Sequence, residues 1–371
     1  MRVRADLPDH VAAAIARCEP PSLVFDLARI DANLAALAAA ARAAEITPLF
    51  AAKSFPHPAV RALAAARLAG FDVASPAEVA EVAAICAPGG ATILSVVDPS
   101  GCAADAARGW RGRLIVGCET VTQVAAAPPG AEIAIRLSAS LTARDPAIGA
   151  VLDGTGHRRS RFGLDIEPAQ LRDAIAAIAH AAGTRPVGLH LHHGQVSATT
   201  GERFVATARA ALAAAEAAGV TPRFLDLGGA WHAVADLPGA LRTIRAALPG
   251  LELLIEPGRL LASGAGFACG QVVSVRALDD RRLCVLALSR SCHLRWSQPE
   301  LVAPPPHPGA GRVSLLAGPT CYEDDVLGEW TLDPAVLPLG GRAMFRNITG
   351  YAVAWNTGFG GVSPADVVMV G

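Results

Sequence analysis

The sequence predicts an α/β protein in which a TIM (β/α)8 barrel is followed by a C-terminal antiparallel β domain. Short apolar runs alternate with Ala-rich stretches of helical period over the first two thirds of the chain, a pattern typical of repeated βα units. After about residue 263 the Ala-rich stretches stop, and short strand-like pieces rich in Val, Leu and Arg follow. The 371 residues leave room for a barrel of about 250 residues and a second domain.

The barrel prediction depends on the number of strands. Nine apolar runs of strand length come before residue 263, and if the first lies outside the barrel, eight remain to close it. The nine predicted strands are residues 23–26, 49–52, 71–74, 93–97, 114–117, 132–137, 187–192, 224–227 and 253–255. The predicted helices are residues 31–44, 58–69, 76–85, 168–182, 201–218 and 237–247.

The rest of the chain is assigned by the same reasoning. Strand-like pieces of the β domain are expected at residues 270–275, 283–288, 313–316 and 365–370. The predicted domains are an N-terminal segment at 1–21, the barrel at 22–262 and the β domain at 263–371. The connection 142–161 is too long for a routine turn, so we expect it to be an active-site loop.

Composition and charge limit the class of partner. Hydrophobic residues make up 52% of the chain and charged residues 18%, which suits a large core and excludes a disordered protein. Lys plus Arg (32) nearly balances Asp plus Glu (33), so no overall field favours nucleic acid or an anionic membrane. The expected partners are a small molecule and a second copy of the chain. The charged start and the lack of a long apolar run predict a cytoplasmic protein, and eight cysteines without a CxxC pair predict reduced thiols.

Lys53 is the one lysine among the 32 basic residues. It follows an apolar run that is typical of a buried strand, and an amine in apolar surroundings has a lowered pKa and can attack a carbonyl. A guanidinium stays charged and cannot replace it in that role. A lone lysine could also lie in solvent by chance, but its position at a strand end favours the chemical interpretation.

Other polar side chains also fall at the predicted barrel strands. Asp72 lies in the second barrel strand, Arg136 ends the fifth, and His190 and His192 share one face of the sixth. In a TIM barrel the reactive groups lie at the carboxyl ends of the strands. The two histidines could instead be metal ligands, although no third ligand has a matching spacing.

The last two barrel strands predict a phosphate site. DLGG at 226–229 ends the seventh strand, and EPGR at 256–259 ends the eighth. Gly228, Gly229 and Gly258 can offer bare backbone N–H groups, and Arg259 adds a guanidinium, although such motifs alone are often only turns. An amine opposite a phosphate site, with Glu256 beside it, is what pyridoxal 5'-phosphate requires.

The chain resembles the fold-type III pyridoxal-phosphate decarboxylases, which have the alanine-racemase fold and include diaminopimelate, ornithine and carboxynorspermidine decarboxylases. The resemblance runs over nearly the whole chain. The matching segments are PSLVFD at 21–26, AAK at 51–53, GFDVAS at 70–75 with Glu78, SRFG at 160–163, GLHLH at 188–192 with Gly194, DLGG at 226–229, EPGR at 256–259, GPTC at 318–321 with Asp325, and GY at 350–351.

The resemblance implies a role for each matching residue. Lys53 would hold the cofactor as a Schiff base, His192 would stack on its ring, and Glu256 would pair with the ring nitrogen. The cofactor phosphate would be surrounded by Gly229, Gly258, Arg259 and Tyr351, while Asp72 and Arg136 would lie near the lysine and the ring. Cys321 would enter the partner subunit's site and protonate the carbanion, which implies a homodimer with shared active sites.

Some positions differ from the family pattern. Ala230 stands where a third glycine is usual, Gln195 where a phosphate-binding serine is usual, and Tyr322 where diaminopimelate and ornithine decarboxylases have an acidic residue. Asp325 offers a carboxylate that is common in the family, and Arg295 falls where the diaminopimelate branch binds a distal carboxylate. Tyr322, Asp325 and Arg295 are therefore the expected substrate-binding residues.

The expected function is the decarboxylation of an amino acid or a similar metabolite, with release of CO2 and an amine. One alternative is a racemase or epimerase on the same fold, but alanine racemases prefer an arginine at the ring nitrogen, where this chain has Glu256. Another alternative is a non-catalytic homologue that binds partners. The intact set of Lys53, His192, Glu256 and Cys321 argues against it.

Overall fold

A computed structural model describes residues 7–86, 92–138, 162–164, 170–192, 199–306 and 311–371. The chain divides into two compact units. The barrel unit consists of Leu34–Lys53 and Arg61–Leu260, and the β unit consists of the described residues up to Asn33, Ser54–Val60 and Leu261–Gly371. The predicted active-site loop at 142–161 lies outside the described residues.

The strands and helices are numbered in chain order. The strands are β1 Ser22–Asp26, β2 Thr47–Ala51, β3 Gly70–Val73, β4 Ile93–Val96, β5 Leu114–Cys118, β6 Glu132–Ser138, β7 Val187–His192, β8 Phe224–Asp226, β9 Glu252–Ile255, β10 Gly266–Leu278, β11 Arg281–Leu286, β12 Glu300–Ala303, β13 Arg312–Ala317, β14 Val326–Leu332, β15 Arg342–Arg346 and β16 Asp366–Val370. The helices are α1 Asp9–Arg17, α2 Leu27–Ala43, α3 Pro58–Arg67, α4 Pro76–Ile85, α5 Cys102–Ala106, α6 Val121–Ala126, α7 Leu171–Ala182, α8 Gly201–Ala217, α9 Leu237–Ala247, α10 Arg290–His293 and α11 Tyr351–Ala354.

The predicted TIM barrel is confirmed. Strands β2 to β9 pair in order, all parallel, and β9 pairs with β2 to close the barrel. Its interior contains a buried apolar cluster of Leu49, Ile115, Ala134, Phe224 and Leu254. Because the strands are buried between this interior and the helices, their sequences are continuous apolar runs rather than alternating ones.

The helices of the barrel unit begin where their capping residues predict. The hydroxyl of Ser75 accepts a hydrogen bond from the backbone N–H of Glu78 (3.2 Å) and starts α4. Thr120 and Gln123 form a capping box at α6, and Asp236 caps α9. The short helices α5 and α6 were not predicted, because five or six residues give too weak a periodic signal.

The β unit has an eight-stranded sheet that is mostly antiparallel, which confirms the predicted second fold element. Its order is β12, β15, β10, β11, β13 and β14, and β1 pairs with β10 and β16 off this path. Two pairs in it are parallel, β11 with β13 and β1 with β16, so the sheet is mixed rather than purely antiparallel.

β1 lies in this sheet and not in the barrel, so the barrel unit begins later than residue 22, where the predicted barrel domain begins. The strand count allowed for this, since eight strands remain for the barrel when the first lies outside, but β1 itself gives no sign of it because it is as fully buried and apolar as a barrel strand. The predicted N-terminal segment contains α1, whose Val11, Ala14 and Ile15 pack with Val24 and Phe267. Among the described residues, no helix has the length and apolarity needed to cross a membrane.

Candidate active site

Lys53 and Asp72 form an ion pair at the carboxyl ends of β2 and β3. Lys53 lies in a short 3-10 helix, Ala52–Ser54, directly after β2, and Asp72 lies beside Ala51 in the register of the two strands. The Lys53 side chain is 35% exposed and that of Asp72 fully buried. Burial and the charge of Glu256 raise the pKa of Asp72 to about 7, while Lys53 acts in the opposite direction. The lysine is thus held by a carboxyl group that can take up a proton near neutral pH.

Glu256 follows β9 and is buried against His190 of β7. The His190 Nε2 atom lies 3.4 Å from each carboxylate oxygen of Glu256, and only Oε2 meets it with hydrogen-bond geometry. Burial alone would raise the pKa of Glu256, but the contact with His190 outweighs it and lowers the pKa to about 2. Glu256 is therefore an anion across the physiological pH range.

Asp226 is a third buried polar group in this region. It lies beside His190 in the register of β7 and β8, and its Oδ1 accepts a hydrogen bond from the backbone N–H of Gly228 (2.8 Å). Burial and the charge of Glu256 raise the pKa of Asp226 well above its ordinary value. Asp226 therefore holds a proton more readily than an ordinary aspartate, while Glu256 is charged.

His192 and the Gly228–Gly229 turn meet at the ends of β7 and β8. The backbone N–H of Gly229 donates to His192 Nδ1 (3.3 Å), and loss of hydration lowers the pKa of His192 to about 3. Gly228 has φ +64, and a Cβ there would collide with the carbonyl oxygen of Leu191. A Cβ on Gly229 would come within 3.0 Å of the His192 ring. The close approach of this turn to the histidine strand requires glycine at 228 and leaves little room for a side chain at 229.

Ala230, which stands where a third glycine is usual, keeps the backbone conformation of a glycine. Its φ is +73, in the left-handed region that residues with a Cβ enter at some cost. Trp231 follows and donates its indole N–H to the carbonyl of Gly228 (2.6 Å), which fixes the turn. The missing glycine therefore leaves the fold of this turn intact.

The other predicted cofactor residues of the barrel unit lie close to these groups in the chain. Arg259 directly follows Glu256, Pro257 and the half-buried Gly258, and its Nη1 lies 3.3 Å from His232 Nε2. Burial and Arg259 lower the pKa of His232 to about 4, so this histidine is neutral and adds no positive charge.

Arg136, at the end of β6, is largely buried. Its side chain lies 3.6 Å from Glu119 and over the ring of Phe162 at 4.7 Å. The described piece Phe162–Leu164 is bound to β6, because the Leu164 N–H donates to the Arg136 carbonyl (2.8 Å). Arg136 is therefore held through its side chain by Glu119 and Phe162 and through its backbone by Leu164.

Cys321, Tyr322 and Asp325 belong to one loop of the β unit. Cys321 is exposed, and Tyr322 is 57% exposed with its ring edge-to-face with that of Phe359 at 5.6 Å. Asp325 is only 2% exposed and accepts hydrogen bonds from Ser289 Oγ, Thr320 Oγ1 and the backbone N–H groups of α10. These donors occupy the Asp325 carboxylate, and its role in substrate binding stays a prediction. Its position indicates that it holds the loop in place.

Tyr351 and Arg295 lie in an aromatic cluster of the β unit. The Trp296 ring is 4.9 Å from that of Tyr351 and 5.3 Å from that of Trp355, and Arg295 lies over Trp355 at 4.5 Å. Trp296 has φ +63, which is unusual for so large a residue. The guanidinium expected to bind a distal carboxylate is therefore engaged with an aromatic ring.

The residues of the barrel unit fit pyridoxal phosphate. The buried oxygens Asp72 Oδ1 and Glu256 Oε1 have no hydrogen-bond partner among the described residues, so each can accept from a bound group. Lys53 supplies an amine for an aldehyde, Glu256 an acceptor for a ring nitrogen, and Arg259 a cation for a phosphate.

The structure also shows a grouping that sequence reasoning missed. Ligand atoms of His190, Asp226 and Glu256 lie within 4.8 Å of one another, all buried. The predicted metal alternative combined His190 with His192. In the structure the buried acids Asp226 and Glu256 approach His190 instead. The alternation along β7 indicated that His190 faces inward, but only the strand register reveals that it meets Glu256.

Comparisons with known proteins agree with this geometry. Residues 27–263 match the family described as pyridoxal-dependent decarboxylase, pyridoxal binding domain. A diaminopimelate decarboxylase of Deinococcus radiodurans is 28% identical over 319 residues, which cover 85% of this chain and 80% of that protein.

Among solved structures, the arginine decarboxylase of Paramecium bursaria Chlorella virus, bound to agmatine, has a TM-score of 0.77 and 18% identity over 97% of this chain and 100% of that chain. A lysine/ornithine decarboxylase of Vibrio vulnificus, complexed with cadaverine, has a TM-score of 0.77 and 20% identity, covering 97% of each chain. At such identities the two structures support the fold alone.

Proposed function

Because this chain belongs to the family of pyridoxal-dependent decarboxylases, we propose that it removes the α-carboxylate of an amino acid as CO2, with Lys53 as the residue that holds the cofactor. The observation that supports this most directly is the position of the sole lysine, at the carboxyl end of β2 and paired with the buried Asp72. Pyridoxal phosphate is the cofactor and amino-acid decarboxylation the general reaction. The attachment residue and the substrate are the proposed parts.

The cofactor, when bound, supplies a carbonyl that takes up the substrate amine and a ring that accepts the electron pair left by CO2. The protein supplies the charges around it. Lys53 offers the amine, and Asp72 can accept its proton because the pKa of Asp72 is about 7. Glu256 remains an anion and so favours a protonated ring nitrogen, which is the form that withdraws electrons best.

The phosphate is proposed to bind near the turns that follow β8 and β9, where Arg259 adds the charge. Gly228 and Gly229 allow the first turn its close approach to His192, and the half-buried Gly258 lies in the second. His192 is neutral, with its pKa lowered to about 3, and a neutral imidazole can lie against the cofactor ring without adding charge.

The proton that replaces the lost carboxylate is proposed to come from Cys321. Its thiol is exposed in the described chain, as a group that serves a second subunit would be. The bond from Cα to the carboxylate breaks, CO2 leaves, and the electron pair takes up the thiol proton, so that the product is an amine. This role requires a homodimer with shared active sites.

The substrate is proposed to be bulkier than meso-diaminopimelate or ornithine. Tyr322 stands in place of an acidic residue and forms an exposed aromatic pair with Phe359, and the exposed carboxylates of this loop, Glu323 and Asp324, follow one and two residues later. Asp325 is buried and saturated by its donors, and Arg295 lies over Trp355. The free carboxylates of this loop are therefore displaced from the usual position, which favours a longer or differently placed amine than that of the two smaller substrates.

We expect CO2 release from neither meso-diaminopimelate nor ornithine to exceed a kcat/KM of about 10⁴ M⁻¹s⁻¹, whereas a larger amino acid does. The measurement is CO2 release by the purified holoenzyme over a panel that includes diamino acids, arginine, carboxy-polyamines and aromatic amino acids. Tyr322→Asp is the matched variant and should raise the rate with ornithine relative to the best substrate. Efficient turnover of ornithine or meso-diaminopimelate by the wild type would refute the substrate proposal, and no CO2 from any compound would refute the function.

Mixing two inactive variants should restore activity. Lys53→Ala lacks the attachment residue and Cys321→Ala lacks the proton donor, so a hybrid dimer has one site with both defects and one with neither. We expect a mixture refolded at equal amounts to recover about a quarter of the wild-type rate, since half of the dimers are hybrids with one of two sites intact. Native mass spectrometry would verify the exchange of subunits. If hybrids form and stay inactive, the shared site is excluded.

A further inference from the structure

His190 is a buried histidine that the proposed chemistry does not use. Its side chain is 1% exposed, and its Nε2 points at Glu256, which is 3% exposed. The His190 Nδ1 atom has no hydrogen-bond partner among the described residues. A buried imidazole with a single partner is costly unless that partner needs it. The partner here is the carboxylate proposed to pair with the cofactor.

The contact with His190 distinguishes the two carboxylate oxygens of Glu256. Only Oε2 receives a hydrogen bond from His190, and Oε1 has no hydrogen-bond partner among the described residues. An ionised carboxylate only accepts hydrogen bonds, so Nε2 of His190 must be the protonated nitrogen in this contact. Oε1 is then the oxygen that remains for the ring nitrogen.

We propose that His190 is a positioning residue that fixes Glu256 through Oε2 and keeps it ionised, so that Oε1 serves the ring nitrogen of the cofactor. The inference rests on the proposed function, in which Glu256 pairs with that nitrogen. His190 touches Glu256 rather than the cofactor, so it is not itself a catalytic residue.

The surroundings show why Glu256 needs such a partner. Two other carboxyl groups act on it, Asp72 from β3 and Asp226 from β8, and like charges oppose its ionisation. The positive charge of Lys53 favours the ionised form of Glu256, but Lys53 is paired with Asp72. His192 from β7 is neutral at physiological pH. Asp226 also shares a side-chain hydrogen bond with Glu256, which raises the pKa of Asp226. His190, in contact through Nε2, is the group that lowers the pKa of Glu256 most strongly.

The test compares His190→Leu, which removes the donor, with His190→Gln, which keeps an N–H donor of similar reach. Apoenzyme would be titrated with pyridoxal phosphate between pH 6 and 9, with the dissociation constant obtained from the change in visible absorbance. For the wild type we expect an affinity that changes little over this range. In His190→Leu, Glu256 is buried without its donor and takes up a proton as the pH falls, so the affinity at pH 6 should weaken at least tenfold relative to pH 9.

His190→Gln should restore most of the wild-type profile, and His180→Leu, on the exposed end of α7, is the control for a histidine substitution elsewhere. The decarboxylation assay should show a lower kcat in His190→Leu with KM nearly unchanged. If wild type binds the cofactor and His190→Leu has the same pH profile, the inference fails while the proposed function stands. Failure of the wild type to bind cofactor would overturn both. Stoichiometric metal in the wild type that is lost in His190→Leu would also overturn the inference, because His190 would then be a ligand.

Discussion

Replacing Lys53 by Arg should abolish cofactor attachment and reduce decarboxylation by at least about 10⁴-fold. Arg keeps the positive charge beside Asp72, so the fold and the ion pair should survive, but a guanidinium does not lose its proton to form a covalent bond with an aldehyde. In the wild type, borohydride should fix one pyridoxyl group per chain, and peptide mapping should find it on the peptide with Lys53. The variant should retain no reduced label.

The single lysine makes this experiment unusually clean. No second ε-amine exists to take over, since the other basic side chains are arginines and histidines. The matched control is Arg223→Lys, which introduces an exposed lysine just before β8, at the amino end of that strand, and should not acquire label. Normal visible absorbance and activity in Lys53→Arg would remove the basis of the proposed function.

The barrel could be predicted because its signals are local. Each barrel strand is a buried apolar run bounded by turn residues, and each predicted strand lies within two residues of the observed one. The strand ends then placed Lys53, Asp72 and Glu256 on one face by topology alone, since parallel strands of a barrel share one carboxyl edge. No knowledge of side-chain contacts was needed for that step.

The contacts between these residues could not be predicted, because they depend on register. A shift of one residue between β7 and β8 would turn His190 away from Asp226, and nothing in either strand sequence fixes that shift. The same limit applies to β1, whose partners β10 and β16 lie more than 200 residues away in the chain. Asp325 shows a further limit. The sequence GPTC with Asp325 nearby suggests a substrate contact. In the structure the Asp325 carboxylate accepts hydrogen bonds from the first backbone N–H groups of α10.

The charge of Glu256 beside the ring nitrogen controls how well the cofactor ring withdraws electrons during the reaction. The lone pair left by CO2 is stabilised only if the ring withdraws electrons, and an anion beside the ring nitrogen favours its protonated form. The pKa of Glu256 is lowered to about 2, so this anion is present over the whole range in which the protein would be assayed. A neutral amide of the same size in its place would keep a hydrogen bond but lose the charge.

Glu256→Gln should therefore bind cofactor and lose about two to four orders of magnitude in kcat, with a much smaller change in KM. Single-turnover CO2 release would show that the loss lies in bond cleavage rather than in product release. Glu256→Asp is the matched control, because it keeps the charge on a shorter side chain and should retain more activity than Gln. Borohydride labelling of Lys53 in Glu256→Gln should match the wild type, which separates attachment from the electronic effect. An unchanged single-turnover rate in Glu256→Gln would show that another group provides the charge at the ring nitrogen.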